Sequence, residues 1–155
     1  MMSKVCCFIG HRKIDETEEL AVKLSHIIEK LITDERTDTF LFGSQSRFNR
    51  LCYEIVSEYK EKYPHIQRVY IRAEYPCISE SYKEILLKEY EDTYYPDSII
   101  GAGKAAYLER NEEMIKKSDL CVIYYRRSMD LETRRSGTKI ALEYAVKHNK
   151  RIISV

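Results

Sequence analysis

Val5-Cys6-Cys7-Phe8-Ile9-Gly10-His11-Arg12 is the stretch on which the reading of this chain turns. An unbroken apolar run closed by a glycine and two polar side chains reads as a strand buried on both faces that hands over to a loop. The pattern recurs. Thr39-Phe40-Leu41-Phe42 ends at Gly43, and Val69-Tyr70-Ile71 is a third short run. Leu120-Cys121-Val122-Ile123-Tyr124-Tyr125 is the strongest strand signal, and Arg151-Ile152-Ile153-Ser154-Val155 closes the chain as another.

Helical spacing fills the intervals. Leu20, Leu24, Ile27, Ile28 and Leu31 recur three and four residues apart behind Asp15 and Glu18, which are placed as in a capping box. Leu51, Ile55, Val56 and Tyr59 make a second stripe that stops near Pro64. Further helices are predicted over 79–90, 105–117 and 138–148. The segment 73–99, rich in Tyr and Glu and holding Pro76 and Pro96, is the least regular. Gly101-Ala102-Gly103-Lys104 reads as a hinge or a loop leading into a helix, and 126–135 as a polar loop. No repeat or interdomain linker interrupts the chain. Strands alternating with helices predict an α/β, Rossmann-like, doubly wound and mostly parallel sheet of about five strands, with helices on both faces, in one domain over 1–155.

Composition narrows the function classes. The chain has 155 residues, 44% of them hydrophobic, which suits a single packed core and excludes a disordered tail. Lys and Arg total 26 against 25 Asp and Glu, so a surface built to hold DNA or RNA is not expected, although a local basic pocket is compatible with that balance. No stretch approaches the roughly 20 apolar residues that cross a bilayer, and no membrane partner is expected. The start of the chain lacks a signal-peptide core, and the odd set Cys6, Cys7, Cys52, Cys77 and Cys121 lacks zinc or disulfide spacing. The cysteines therefore read as reduced core residues of a cytoplasmic protein. His11, His26, His65 and His148 form no metal-binding pair at helical spacing, and no metal or cofactor is expected.

Open parallel sheets bind ligands beyond the carboxyl ends of their strands, so the residues following each strand decide the function. Gly10-His11-Arg12 offers a close backbone approach, a side chain suited to phosphate donation or proton transfer, and a bidentate anion partner; it also reads as a plain turn with solvated polar residues. Gly43-Ser44-Gln45-Ser46-Arg47-Phe48-Asn49 and Ser136-Gly137-Thr138 each place small residues at a helix N-terminus, where unpaired N–H groups suit an anion; at the first of them Ser44 or Ser46 also reads as a plain helix cap. Arg12, Arg47, Arg110 and the Arg126-Arg127 pair gather positive charge near these loops. No Walker motif and no G-x-G-x-x-G dinucleotide turn is present.

These motifs resemble the SLOG superfamily, Rossmann-like proteins that include the Lonely-Guy phosphoribohydrolases and DNA-processing protein A. The likeness rests on Phe8-Ile9-Gly10-His11-Arg12, Phe42-Gly43-Ser44, Arg110-Asn111-Glu112-Glu113-Met114, and Ser136-Gly137-Thr138 leading to Leu142-Glu143-Tyr144-Ala145. It is closest to the YpsA-like group and covers nearly the whole chain. The resemblance implies a phosphate-binding site made by Gly10, His11, Arg12, Gly43, Ser44, Arg47, Ser136, Gly137 and Thr138, holding a nucleotide or nucleotide derivative. If the protein is an enzyme, it implies an N-glycosidase that cleaves the base from a nucleoside 5′-monophosphate, with Arg110 and Glu143 catalytic. The sequence departs from that pattern. The position of the Lonely-Guy glutamate holds Ala141, and Glu143, two residues on, lies about 200° further round a helix. Arg47 and Asn49 also stand where relatives carry a small residue and an acid. These departures bear on hydrolysis more than on binding, so the leading expectation is a sensor-type, homo-oligomeric binding protein. Glu143 also sits four residues from Lys139, a spacing that suits an ion pair, and Arg110 has Glu112, Glu113 and Asp119 as candidate partners. Tyr75, Tyr82, Tyr90, Tyr94, Tyr95 and Tyr107 suit packing or self-association, or stacking on a base.

Overall fold

β1 (Lys4–Gly10) lies between β2 (Thr37–Phe42) and β5 (Leu120–Tyr124), parallel to both. β3 (Gln67–Ile71) and β4 (Asp92–Tyr94) extend the sheet beyond β2, and β6 (Arg151–Ser154) extends it beyond β5, giving a six-stranded parallel sheet of order β4-β3-β2-β1-β5-β6. The helices are α1 (Thr17–Thr33), α2 (Arg47–Lys62), α3 (Glu80–Glu89), α4 (Ala106–Lys117) and α5 (Gly137–Lys147). The structure, a computed structural model, describes residues 3–15, 17–130 and 136–155. Residues 131–135 of the polar loop expected over 126–135 lie outside the described residues.

Alternation along the strands sorts the core into two layers. Cys6, Phe8, Phe40, Phe42, Val122 and Tyr124 face one side, where α1, α2 and α3 pack through Leu24, Ile28, Val56 and Leu86. Cys7, Ile9, Leu41, Cys121 and Ile123 face the other, against Met114 and Ile115 of α4 and Ala141 and Ala145 of α5. Side chains on a strand point alternately to opposite faces, so a continuous apolar run fills both layers. This is the doubly wound α/β architecture expected from the sequence.

The strand count is corrected from about five to six. The additional strand, β4, falls in the segment read as least regular. It is three residues long, too short for a periodic pattern. Tertiary pairing makes it a strand: it sits in parallel register with Val69, Tyr70 and Ile71, and Thr93 Oγ1 donates to the Tyr70 carbonyl at 2.7 Å. The cysteine reading is corrected too. Cys6, Cys7, Cys52 and Cys121 are buried as expected, whereas Cys77 is exposed.

Several of the tyrosines are core residues. Tyr90, 6% exposed, packs against Tyr53, Tyr70 and Phe42 with ring centroids 4.8, 5.2 and 5.8 Å away. Among the described residues no helix is long and apolar enough to cross a membrane.

Gly10 is required by packing. A Cβ there would stand 2.3 Å from Phe48 Cδ2 and 2.8 Å from Phe48 Cβ, and Phe48 is itself fully buried and stacked on Tyr124. Gly10→Ala is expected to destabilise the fold by about 1–3 kcal/mol through overpacking. Urea denaturation checks this, and the loss should shrink in a Phe48→Leu background, where the clashing ring is absent.

Candidate functional site

The chain runs outward from β1 through β2, β3 and β4, then returns to β5 at the other side of β1. Strand order therefore reverses beside β1, and ligand clefts in open parallel sheets lie at such a point. A cleft of about 920 Å³ opens there, bounded by the carboxyl ends of β1 and β2, by α4 and by the start of α5.

Local capping builds two of its walls. Ser46 caps α2, its Oγ accepting from the Asn49 N–H at 3.1 Å, and Ser44 Oγ donates to Ser46 Oγ at 2.9 Å. Of the two serines weighed as cap, Ser46 does the capping. Ser136 caps α5 in the same way, accepting from the Lys139 N–H at 3.1 Å. Its own N–H donates to Asp130 Oδ1, and Tyr125 Oη holds the other oxygen of that carboxylate. The hydrogen bonds from Tyr125 and Ser136 keep the Asp130 carboxyl acidic, with its pKa lowered to about 2. Helix starts leave N–H groups without intrahelical acceptors, and Gly137 and Thr138, in the first turn of α5, line the cleft.

Asn49 ties the floor together. Its Oδ1 accepts from the Gly43 N–H at 3.1 Å, and its Nδ2 donates to the Phe8 carbonyl at 3.2 Å. At Gly43 a Cβ would stand 2.4 Å from Met114 Sδ and 2.8 Å from Arg110 Cδ. The missing side chain lets α4 close onto the end of β2.

That approach buries Arg110, which is 7% exposed. Its Nε donates to Asn111 Oδ1 at 2.9 Å, and a longer contact of 3.5 Å runs to the Ile71 carbonyl. Two of the three carboxylates named as alternative partners are engaged elsewhere: Glu113 is 3.7 Å from Lys117 Nζ, and Asp119 accepts from the Val5 N–H. Among the described residues Arg110 has no carboxylate partner. Burial lowers its pKa below the ordinary arginine value, with the nearby Tyr70 and Tyr82 opposing weakly.

His11, 7% exposed, accepts from the Arg126 N–H through Nε2 at 2.9 Å. An imidazolium has no lone pair for that bond, so the ring is neutral with its proton on Nδ1. Burial lowers its pKa from the ordinary histidine value.

The structure brings Gly10, His11, Arg12, Gly43, Ser44, Arg110, Ser136, Gly137 and Thr138 around this one cleft. Arg12 is exposed at its rim. Arg47 and Glu143 are exposed and outside its lining. Arg126 also lies outside it, its guanidinium over the Tyr124 ring at 4.3 Å and bonded to the Val155 carbonyl at 2.9 Å. Sequence reasoning missed Asn111 as a lining residue and the bridging role of Asn49; Tyr107, one of the tyrosines weighed for packing, self-association or stacking on a base, lines the cleft. Asn111 and Tyr107 are located only by the docking of α4. Among the described residues no group of three or more His, Cys, Asp and Glu side chains is placed to hold a metal ion. No family model matches this chain, and no characterised protein matches it in sequence.

Because folding lowers the His11 pKa, the unfolded chain binds more protons than the folded one as pH drops through about 6.5. This contribution to stability is complete above that pH and is lost on acidification towards the folded value. Denaturation at pH 7.5 and pH 5.5 should show the wild type losing more stability than His11→Gln. Equal losses in the two proteins would contradict the assignment.

Proposed function

We propose that this chain is a binding protein of sensor type for a nucleotide or nucleotide derivative, with the phosphate seated at the carboxyl edge of the sheet. The observation that carries this reading is the Arg110 guanidinium, buried against the cleft without a carboxylate partner among the described residues. An unpaired buried charge is costly and persists where an anion completes it. A phosphate in the cleft would also meet the N–H groups at the start of α5, whose dipole favours negative charge. The SLOG resemblance supports the same ligand class. The net charge of +1 means that this attraction is local, which suits a small anion better than a polyanion.

Binding is better supported than hydrolysis. Base cleavage from a nucleoside monophosphate calls for a carboxylate over the glycosidic bond. Glu143 lies outside the cleft lining, and the only carboxylate among the described lining residues is the exposed Asp15.

Thermal unfolding with nucleoside 5′-monophosphates and with ADP-ribose tests the reading. At 100 times Kd a ligand adds about 2.7 kcal/mol, which for a domain of this size raises Tm by roughly 5–10 °C. Arg110→Met is expected to abolish that shift while raising the stability of the unliganded protein by about 1 kcal/mol or more, because it removes an unpaired buried charge. A variant that loses stability and still responds to the nucleotides would overturn the proposal. Release of free base from any of them would favour the N-glycosidase instead.

A further inference from the structure

Two side chains of α4 that line the cleft differ sharply in exposure. Arg110 is buried, whereas Tyr107, one turn earlier, is 51% exposed. Residues three apart on a helix share a face, with Cβ atoms about 5–6 Å from each other, so the ring and the guanidinium are neighbours. Gly101 and Gly103, with φ of 85° and 65°, turn the chain into this helix through backbone conformations that favour glycine. Tyr107 also lines a second, smaller cleft of about 230 Å³, which shares Gly43, Ser44 and Arg110 with the large one.

The other rings of the two clefts are committed to the fold. Phe8 is fully buried and packs on Phe40 and Phe42. His11 is buried, with Nε2 bonded to the Arg126 N–H. Tyr70 is buried against Tyr90, and Tyr82 Oη donates to Tyr70 Oη at 3.2 Å and accepts from Gln45 Nε2 at 3.1 Å. Tyr107 enters no hydrogen bond, ring contact or cation–π pair among the described residues. A lone exposed tyrosine is ordinary surface. This one stands where two clefts meet, beside a buried guanidinium that lacks a carboxylate partner among the described residues. A flat ring next to a cation suits a ligand that joins a planar group to an anion.

We infer that Tyr107 is the base-recognition residue of the site: the base of the bound nucleotide stacks on its ring while the phosphate meets Arg110. The inference rests on the nucleotide reading above and adds how the base is held, by its face and not by its edge. Every base has such a face. The site therefore takes purine and pyrimidine nucleotides alike and discriminates against a sugar phosphate that carries no base.

The test measures, by calorimetry, the binding of adenosine 5′-monophosphate, uridine 5′-monophosphate and ribose 5-phosphate to the wild type, Tyr107→Phe and Tyr107→Ala. The wild type should bind each nucleotide about tenfold or more tighter than ribose 5-phosphate, the order that base–aromatic stacking provides. Tyr107→Phe keeps the ring and should keep those ratios. Tyr107→Ala should weaken both nucleotides by about tenfold, towards the affinity of ribose 5-phosphate, whose own binding should not change. Tyr107 is exposed on a helix, so the alanine variant is expected to fold, and ratios taken within each variant are independent of its stability. If Tyr107→Ala preserves the wild-type ratios, the stacking role is overturned and the nucleotide reading stands; a fall in particle mass by light scattering would then make the ring a contact between copies of the chain. A wild type that binds one nucleotide and not the other reads the base by its edge, which also overturns the inference. Equal binding of all three to the wild type overturns it too and leaves only the phosphate seat. If none of the three binds, the nucleotide reading falls and the stacking role with it.

Discussion

The hydrogen bonds of Asn49 hold the carboxyl ends of β1 and β2 at a fixed separation, and the cleft depends on that spacing. Parallel strands finish at the same edge of a sheet, but nothing in backbone pairing continues past their last residues. One buried side-chain amide supplies the continuation, donating to the Phe8 carbonyl and accepting from the Gly43 N–H, with its own N–H capped by Ser46. The loop after β2 is thereby locked to α2 and to β1 together. A carboxylate at this position would accept from the Gly43 N–H but offer no donor to the Phe8 carbonyl, so the amide is specifically matched to two partners of opposite polarity.

On that frame, two close approaches set the chemistry of the cleft. Phe48 fills the space a side chain on Gly10 would occupy, fixing the start of α2 against β1. Met114 and Arg110 fill the corresponding space at Gly43, bringing α4 over the end of β2. The second approach forces a guanidinium into a buried position where its only hydrogen-bond partners among the described residues are an amide oxygen and a distant carbonyl. The site therefore combines a rigid floor with one electrostatic deficit. A domain with near-zero net charge thus carries a local excess of positive charge at this cleft.

His11 illustrates how packing overrides a reading by residue type. A histidine after a strand glycine suggests phosphate donation or proton transfer. In the folded protein its Nε2 is committed to the Arg126 N–H, linking the loop after β1 to the loop after β5. What remains available is the Nδ1 proton of a neutral ring. The arginines divide in a similar way. Arg110 is buried at the cleft, Arg12 is exposed at its rim, and Arg126 is spent on the Tyr124 ring and the Val155 carbonyl.

Much of the architecture was legible in the sequence, because a strand buried on both faces must be apolar at every position and a helix covering it must be apolar at three- and four-residue spacing. Those two periods located five strands and five helices and placed Gly10, Gly43 and Gly137 at one edge. β4 escaped because its three residues carry no period of their own and become a strand only by pairing with β3. Local sequence also narrowed the cap of α2 to Ser44 or Ser46, since capping is an interaction over three residues, and Ser46 is the cap. It left open which cations face the cleft, whether Arg110 is paired, and where Glu143 lies. Those are decided by contacts between segments far apart in the chain: Arg110 with Gly43 and Ile71, Asn49 with Phe8. Period and capping are properties of neighbouring residues, whereas the burial and pairing of a charge depend on which distant elements close around it.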